Sequence, residues 1–308
     1  MGKPYLLLGC GILLSLAAWA NAAEPQGKAA FRSDSYVVLI NATVLDRAGR
    51  PVTGLTRDDF HIFQDKTQRP ITYFAEEEVP VSMAIVFDAS GSMSLNIAGA
   101  RKAIEALLRD SNREDEFCLI TVAERPELTV PWVSNDALIQ NSALFHAPHG
   151  QTALLDAIHM ALVQTKKAAN PRRAILVLSD GGDNNSRYSE REIAGMLEEG
   201  GAQMYAVDMA ELPYYAPRAS EELTGPDLLE RLSERGGGRY FPAHNDRELA
   251  AVADRISKEL RSEYVLGFVP PKGIEDGRFH HVQLHVARDG RGPKLSVYWR
   301  QGYRVPAE

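Results

Sequence analysis

Val81-Ser82-Met83-Ala84-Ile85-Val86-Phe87-Asp88-Ala89-Ser90-Gly91-Ser92 decides the fold of this chain. From Val81 to Phe87 the run is almost unbroken in apolar residues, the signature of a strand buried on both faces of a parallel sheet. It then stops in one carboxylate and two hydroxyls at alternate positions, Asp88, Ser90 and Ser92, with Gly91 between the hydroxyls. Open α/β sheets bind ligands just past the carboxyl ends of their strands, and a turn of this kind aims three oxygens at one point. Carboxylate and hydroxyl oxygens suit a small hard cation such as Mg²⁺ rather than a thiophilic metal.

Downstream, strands and helices alternate. Ile97, Ala100, Ile104, Leu107 and Leu108 mark one helix face at 3.6-residue spacing. A strand over Glu116–Val122 follows, with Leu128–Val133 as its expected antiparallel neighbour. A second helix carries Leu154, Leu155, Ile158, Leu162 and Val163. Ala174–Leu178 is a second buried strand, ending in Ser179-Asp180-Gly181-Gly182. A helix over Ser189–Glu199, a strand over Ala202–Val207 and a helix over Pro226–Glu234 come next. Gly236-Gly237-Gly238 then leads into Arg239-Tyr240-Phe241, and a last helix covers Asp246–Arg261. This alternation predicts a doubly wound, mainly parallel α/β sheet over residues 80–262.

Short β segments flank that region. Tyr36–Leu45, Phe60–Gln64 and Ile71–Phe74 precede it, and Glu76–Pro80 reads as a linker. Tyr264–Val269, Val282–Val286 and Leu295–Trp299 follow, with Asp289-Gly290-Arg291-Gly292 as the turn before the last strand. Neither group has enough strands for its own core. Residues 23–79 and 263–308 are therefore expected to pair across the α/β insertion into one small β-sandwich.

The 308 residues are 44% apolar and 24% charged, ordinary globular values, and a net charge of −7 with mixed signs argues against a nucleic-acid binder. Residues 1–22 read as a signal peptide: Lys3, an apolar run from Tyr5 to Trp19, then Ala20-Asn21-Ala22. That run, about 15 residues, is shorter than the ~20 of a membrane span. Export to a bacterial periplasm or medium is the expectation, with no membrane span after leader removal. Leu7-Leu8-Gly9-Cys10 is a faint lipoprotein box set too near the start. The single remaining thiol, Cys118, lies in a strand-like run and is expected to be buried.

Three separated pieces reach the same sheet edge: Asp88-x-Ser90-x-Ser92, Gly150-Gln151-Thr152 before the second helix, and Asp180 at the end of the second buried strand. They supply two carboxylates and three hydroxyls, enough with water for a six-coordinate cation. In type and order these residues resemble the metal-ion-dependent adhesion site of the von Willebrand factor A domain family, over about Val81–Leu260. Gly150–Ala157, Leu178–Asn184 and the flanks Arg50–Leu55 and Tyr264–Phe268 resemble an exported bacterial subgroup described as acidobacterial-type. The resemblance implies that Ser90, Ser92 and Thr152 touch Mg²⁺, with Mn²⁺ or Ca²⁺ as alternatives, while Asp88 and Asp180 act through bound water. It implies further that an open coordination position accepts an Asp or Glu from a protein or peptide partner.

Blander readings exist for each residue singly. Thr152 would serve as a helix N-cap, Ser90 and Ser92 as turn formers, and Asp88 and Asp180 as polar strand ends. Asp156 reads as a first-turn helix acid, and Asp183 and Asp208 as surface or capping residues. His281 and His285 share a strand face but sit ~13 Å apart, too far to share a metal. His280 points the other way, and His146 and His149 read as a solvated loop. The connection Met209–Thr224 is long for its type and carries Tyr214 and Tyr215, expected partner contacts.

Nothing in the chain forms a nucleophile elbow, an HExxH helix or a phosphate loop. A non-catalytic partner-binding module is the leading expectation. A phosphatase of the haloacid dehalogenase type would need a second acid where Ser90 stands. A cell-envelope scaffold with a silent metal site is the third class.

Overall fold

The computed structural model describes residues 37–76, 79–109, 111–134, 136–144, 148–209, 220–271, 273–274, 276–287 and 295–304. Residues 1–22 with Cys10, His146, the Asp289–Gly292 stretch and the Tyr214–Tyr215 pair lie outside these residues. No helix among the described residues is long and apolar enough to cross a membrane.

The central sheet is built from β5 (Val81–Asp88), β6 (Glu116–Val122), β7 (Pro126–Val133), β8 (Arg172–Ser179), β9 (Gln203–Asp208) and β10 (Tyr240–Pro242), in the order β10-β9-β8-β5-β6-β7. All pairs are parallel except β6–β7, which is antiparallel as the sequence predicts. Along β5 the side chains alternate between two cores: Met83, Ile85 and Phe87 enter one, Ala84 and Val86 the other. The first core is closed by α1 (Ile97–Arg109), α2 (Asp136–Leu144) and α6 (Asp246–Arg261). The second is closed by α3 (Leu154–Thr165), α4 (Glu190–Gly200) and α5 (Ser220–Arg235). Truncating the fully buried Phe87 to Ala should cost about 3–5 kcal/mol.

The flanking segments pair across this insertion. One antiparallel sheet has the order β13 (Ser296–Trp299), β1 (Val38–Leu45), β11 (Glu263–Phe268), β4 (Tyr73–Glu76). The other runs β14 (Gly302–Arg304), β12 (Phe279–Val286), β2 (Phe60–Gln64), β3 (Thr67–Arg69). Ile40 faces Leu266 in the first and Ile62 faces Leu284 in the second. Ile40, Ile62, Tyr264, Phe268 and Val282 share one apolar core between the sheets.

Several details differ from the sequence reading or go beyond it. The pairing of the C-terminal strands, which the sequence reading left open, is long-range: β13 pairs with β1, while β12 takes β14 and β2. The helix expected to start at Pro226 starts at Ser220 with Pro226 inside it, which shortens the preceding connection to residues 209–219. Helix α2 was not anticipated, since only Ile139 and Ala143 anchor it to the core.

Candidate metal centre

The carboxyl ends of β5 and β8 lie side by side, and their terminal residues are tied by one hydroxyl. Asp88 is fully buried. Its Oδ1 accepts the backbone N–H of Ser90 at 2.9 Å, and its Oδ2 accepts the Ser179 hydroxyl at 2.5 Å. The Ser179 oxygen in turn accepts the N–H of Gly181 at 2.9 Å. Ser179 thus fixes the Asp88 carboxylate and the loop after Asp180 together. It is a positioning residue that the sequence reading passed over, although it directly precedes Asp180.

Ser90 and Ser92 stand with their hydroxyl oxygens 3.1 Å apart, Ser90 buried and Ser92 exposed. Gly91 between them donates its N–H to the Gly150 carbonyl, which links this turn to the segment carrying Thr152. Thr152 is held by its backbone: its N–H donates to Asn184 Oδ1 at 2.9 Å, and its carbonyl accepts the N–H groups of Asn184 and Asn185. The N-cap of α3 is Ala153, and no side chain of its own caps it. Asp183 does that work from the neighbouring loop, accepting the N–H of Leu155 at 3.2 Å. The Thr152 hydroxyl is therefore not spent on capping and makes no hydrogen bond among the described residues. Asn184 is a second positioning residue that the motif alone did not single out.

Asp180 accepts the N–H of Gly182 on Oδ1 at 3.0 Å, which leaves Oδ2 uncommitted among the described residues. Gly181, at φ +81°, packs directly on Gly225 of α5: a Cβ on Gly181 would lie 2.4 Å from the Gly225 carbonyl. Only glycine at both positions lets two backbones meet there.

The electrostatics are unusual. Among the described residues no basic side chain pairs with Asp88 or Asp180. Burial, and then the charge of Asp180, push the Asp88 carboxyl up to about 7. Such a pair stays fully charged only where positive charge offsets it; otherwise one carboxyl keeps its proton. Two adjacent ligands of an octahedral Mg²⁺ lie ~3 Å apart at its usual ~2.1 Å bond length, close to the Ser90–Ser92 separation of 3.1 Å. The donor chemistry of the five residues, and the spacing of Ser90 and Ser92, fit a small hard cation. Among the described residues no group of three His, Cys, Asp or Glu could hold a metal; here hydroxyls make up most of the set.

Residues 83–182 match the family model of the von Willebrand factor type A domain. The match spans the Asp88 turn, Thr152 and Asp180, about a third of the chain. Among solved structures, the fold is similar to a von Willebrand factor type A protein from Catenulispora acidiphila, at 15% identity and a TM-score of 0.50 over 90% of this chain and 76% of that one. A D319A mutant of the PilB minor pilin from Streptococcus sanguinis gives 14% identity and 0.50, over 61% of this chain and 63% of that one. Proximal thread matrix protein 1 from the mussel byssus, described with a zinc-occupied MIDAS motif, gives 18% and 0.50, over 65% and 50%. These likenesses show a shared type A fold. No curated protein matches the sequence.

The remaining candidates fall into structural roles. Asp156, nearly buried, accepts the N–H groups of Arg187 and Tyr188 and so pins the loop after Asp183. Asp208 is buried rather than on the surface, and it accepts the Tyr240 hydroxyl at 2.6 Å. His280 bridges Asp65 and Asp276, while His281 and His285 are exposed on the opposite face. His149 is exposed beside a 240 Å³ pocket that Ala89, Glu124, Arg125 and Glu127 also line. Cys118 is buried, and burial raises its thiol to about 12, which makes it unreactive.

Proposed function

We propose that this chain is an exported, non-catalytic module that binds a protein or peptide partner in a divalent-cation-dependent way. Ser90, Ser92 and Thr152 would hold the cation directly, Asp88 and Asp180 would hold it through water, and Mg²⁺ is the ion that the oxygen set suits best. When bound, the ion supplies a coordination position for an Asp or Glu side chain of the partner. The observation that carries this reading is the pair of acids, Asp88 and Asp180, with no basic partner among the described residues, beside two hydroxyls 3.1 Å apart.

The residues divide the work. Ser179 and Asn184 hold Asp88 and Thr152 in place through their own hydrogen bonds. Ser92 is the exposed member of the set, so a partner reaches the centre from its side. Neutral direct ligands leave most of the ion's charge uncompensated, which is what makes an incoming carboxylate favourable. Tyr214 and Tyr215, on the connection that leaves the same edge, would contact the partner around its acid.

Calorimetric titration with MgCl₂, paired with partner capture in Mg²⁺ and in EDTA, tests the reading. Saturable Mg²⁺ binding that Asp180→Ala abolishes, with capture lost in EDTA, supports it. Capture that survives both EDTA and Asp180→Ala would contradict it and favour a scaffold in which the sandwich does the binding.

A further inference from the structure

The strongest feature outside the metal edge lies at the opposite end of the strands. A cavity of 570 Å³ opens between the outer face of the β13-β1-β11-β4 sheet and the starts of β8 and β9. Its mouth is apolar: Val37, Leu39 and Tyr73, exposed by 44%, 52% and 47%, are three of the five large apolar side chains exposed among the described residues. They converge over Gly267, where a Cβ would lie 2.8 Å from both Tyr73 Cβ and Val37 Cγ1. This glycine lets the three side chains close over the sheet as one patch.

Arg300 supplies the polar end. It follows β13, is half-buried, and lines the same cavity. Its Nε donates to the Gly302 carbonyl at 2.7 Å, and among the described residues no carboxylate pairs with it. The other arginines buried near this end behave differently: Arg172 pairs with Glu263 at 3.1 Å, and Arg239 pairs with Glu259. Burial alone pulls the Arg300 guanidinium below its ordinary range. Its terminal nitrogens have no protein partner among the described residues and border the cavity, and the planar fork matches a carboxylate that enters it.

We propose that this cavity is a binding site for a small amphipathic monocarboxylate, a medium-chain fatty acid or a molecule of that chemistry. Its carboxylate sits on Arg300, and its apolar body runs along Val265, Leu39 and Tyr73. The 570 Å³ volume is in the range of small-molecule sites. At ~30 Å³ for a water-sized atom it has room for roughly 15–20 non-hydrogen atoms. The site is independent of the metal centre, since it lies at the amino ends of β8 and β9, whereas Asp88 and Asp180 lie at the carboxyl ends.

Calorimetry on the full chain in EDTA, with sodium decanoate, decan-1-ol and decyltrimethylammonium as probes, decides the matter. Decanoate should bind saturably with one site, at least tenfold tighter than decan-1-ol, and the cation should not bind. Arg300→Gln should weaken decanoate about tenfold with decan-1-ol unchanged. Leu39→Glu, at a half-exposed position, should remove binding without unfolding the chain. Asp180→Ala should leave decanoate binding intact, which separates this site from the metal reading. Absence of saturable decanoate binding, equal affinity for decanoate and decan-1-ol, or loss of binding in Asp180→Ala would overturn the proposal. If Arg300→Gln fails to fold, the three probes on the unaltered chain and Leu39→Glu carry the decision.

Discussion

Strand β8 begins in a buried arginine and ends beside a buried acid, and the two ends solve the problem of buried charge in opposite ways. At the amino end, Arg172 (2% exposed) meets Glu263 (0%), and its Nη1 donates to the Leu260 carbonyl at 2.5 Å. Arg239 meets Glu259 close by. These four residues join the central sheet and α6 to β11 of the sandwich, and their charges offset one another inside the protein. At the carboxyl end, Asp88 feels the charge of Asp180, and no cationic side chain pairs with either among the described residues. The first end is balanced in formal charge, two arginines against two glutamates. The second has no basic side chain to offset its acids among the described residues, which is what the proposed cation would supply. A polar cluster that is balanced internally reads as architecture, and one left unbalanced reads as a site.

Breaking the balanced end should cost most. Arg172→Ala leaves Glu263 buried and unpaired, and should lower unfolding free energy by about 3–5 kcal/mol in urea titration. A loss below about 1 kcal/mol would mean that the pair is not holding the two halves together.

Gly181→Ala acts at the other end, on backbone rather than charge. Positive φ costs about 1–2 kcal/mol for a residue with a Cβ, and contact with Gly225 adds to it. Thermal unfolding should show that loss together with a lost response to Mg²⁺. Asp180→Asn should do the reverse of Arg172→Ala. With EDTA present its stability should stay within about 1 kcal/mol of the parent or exceed it, because it relieves repulsion on Asp88. Stabilisation by Mg²⁺ should vanish.

The amino end also predicts a pH dependence. Burial raises Glu259 and Glu263 to about 7 each, against the pull of Arg239 and Arg172. A carboxyl whose folded value is raised contributes most below its ordinary range. That contribution fades as pH rises through the folded value. In EDTA the urea midpoint should therefore fall between pH 5 and pH 8. Glu263→Gln should flatten the fall when compared in an Asp88→Asn background, which removes the acid raised at the opposite edge.

The edge that carries Asp88 and Asp180 stood out in the sequence far more than the junction did. Asp88, Ser90 and Ser92 sit in one short run after a strand whose unbroken apolar character leaves little choice of element. Thr152 and Asp180 each stand at the edge of their own periodic segment. The groups that hold those residues were not legible: Ser179 and Asn184 are ordinary polar residues until β8 is laid beside β5. At the junction, Arg172, Glu259 and Glu263 look like surface charges in sequence. Only the return of β11 to pair with β1 buries them. The same long-range pairing put β12 and β13 into different sheets, which their spacing across a Gly-rich turn could not reveal. Helix α5 starts before its proline, and the close approach of Gly225 to Gly181 that accompanies this is a long-range contact invisible in the local pattern at Pro226.

Anomalous diffraction at the manganese edge, from crystals grown in MnCl₂, reads the unbalanced end directly. A single strong peak within bonding distance of the Ser90, Ser92 and Thr152 hydroxyl oxygens, absent in Asp180→Ala crystals, is the predicted result. Crystals saturated with Mn²⁺ that show no peak at that edge, or a peak that Asp180→Ala leaves in place, would contradict it.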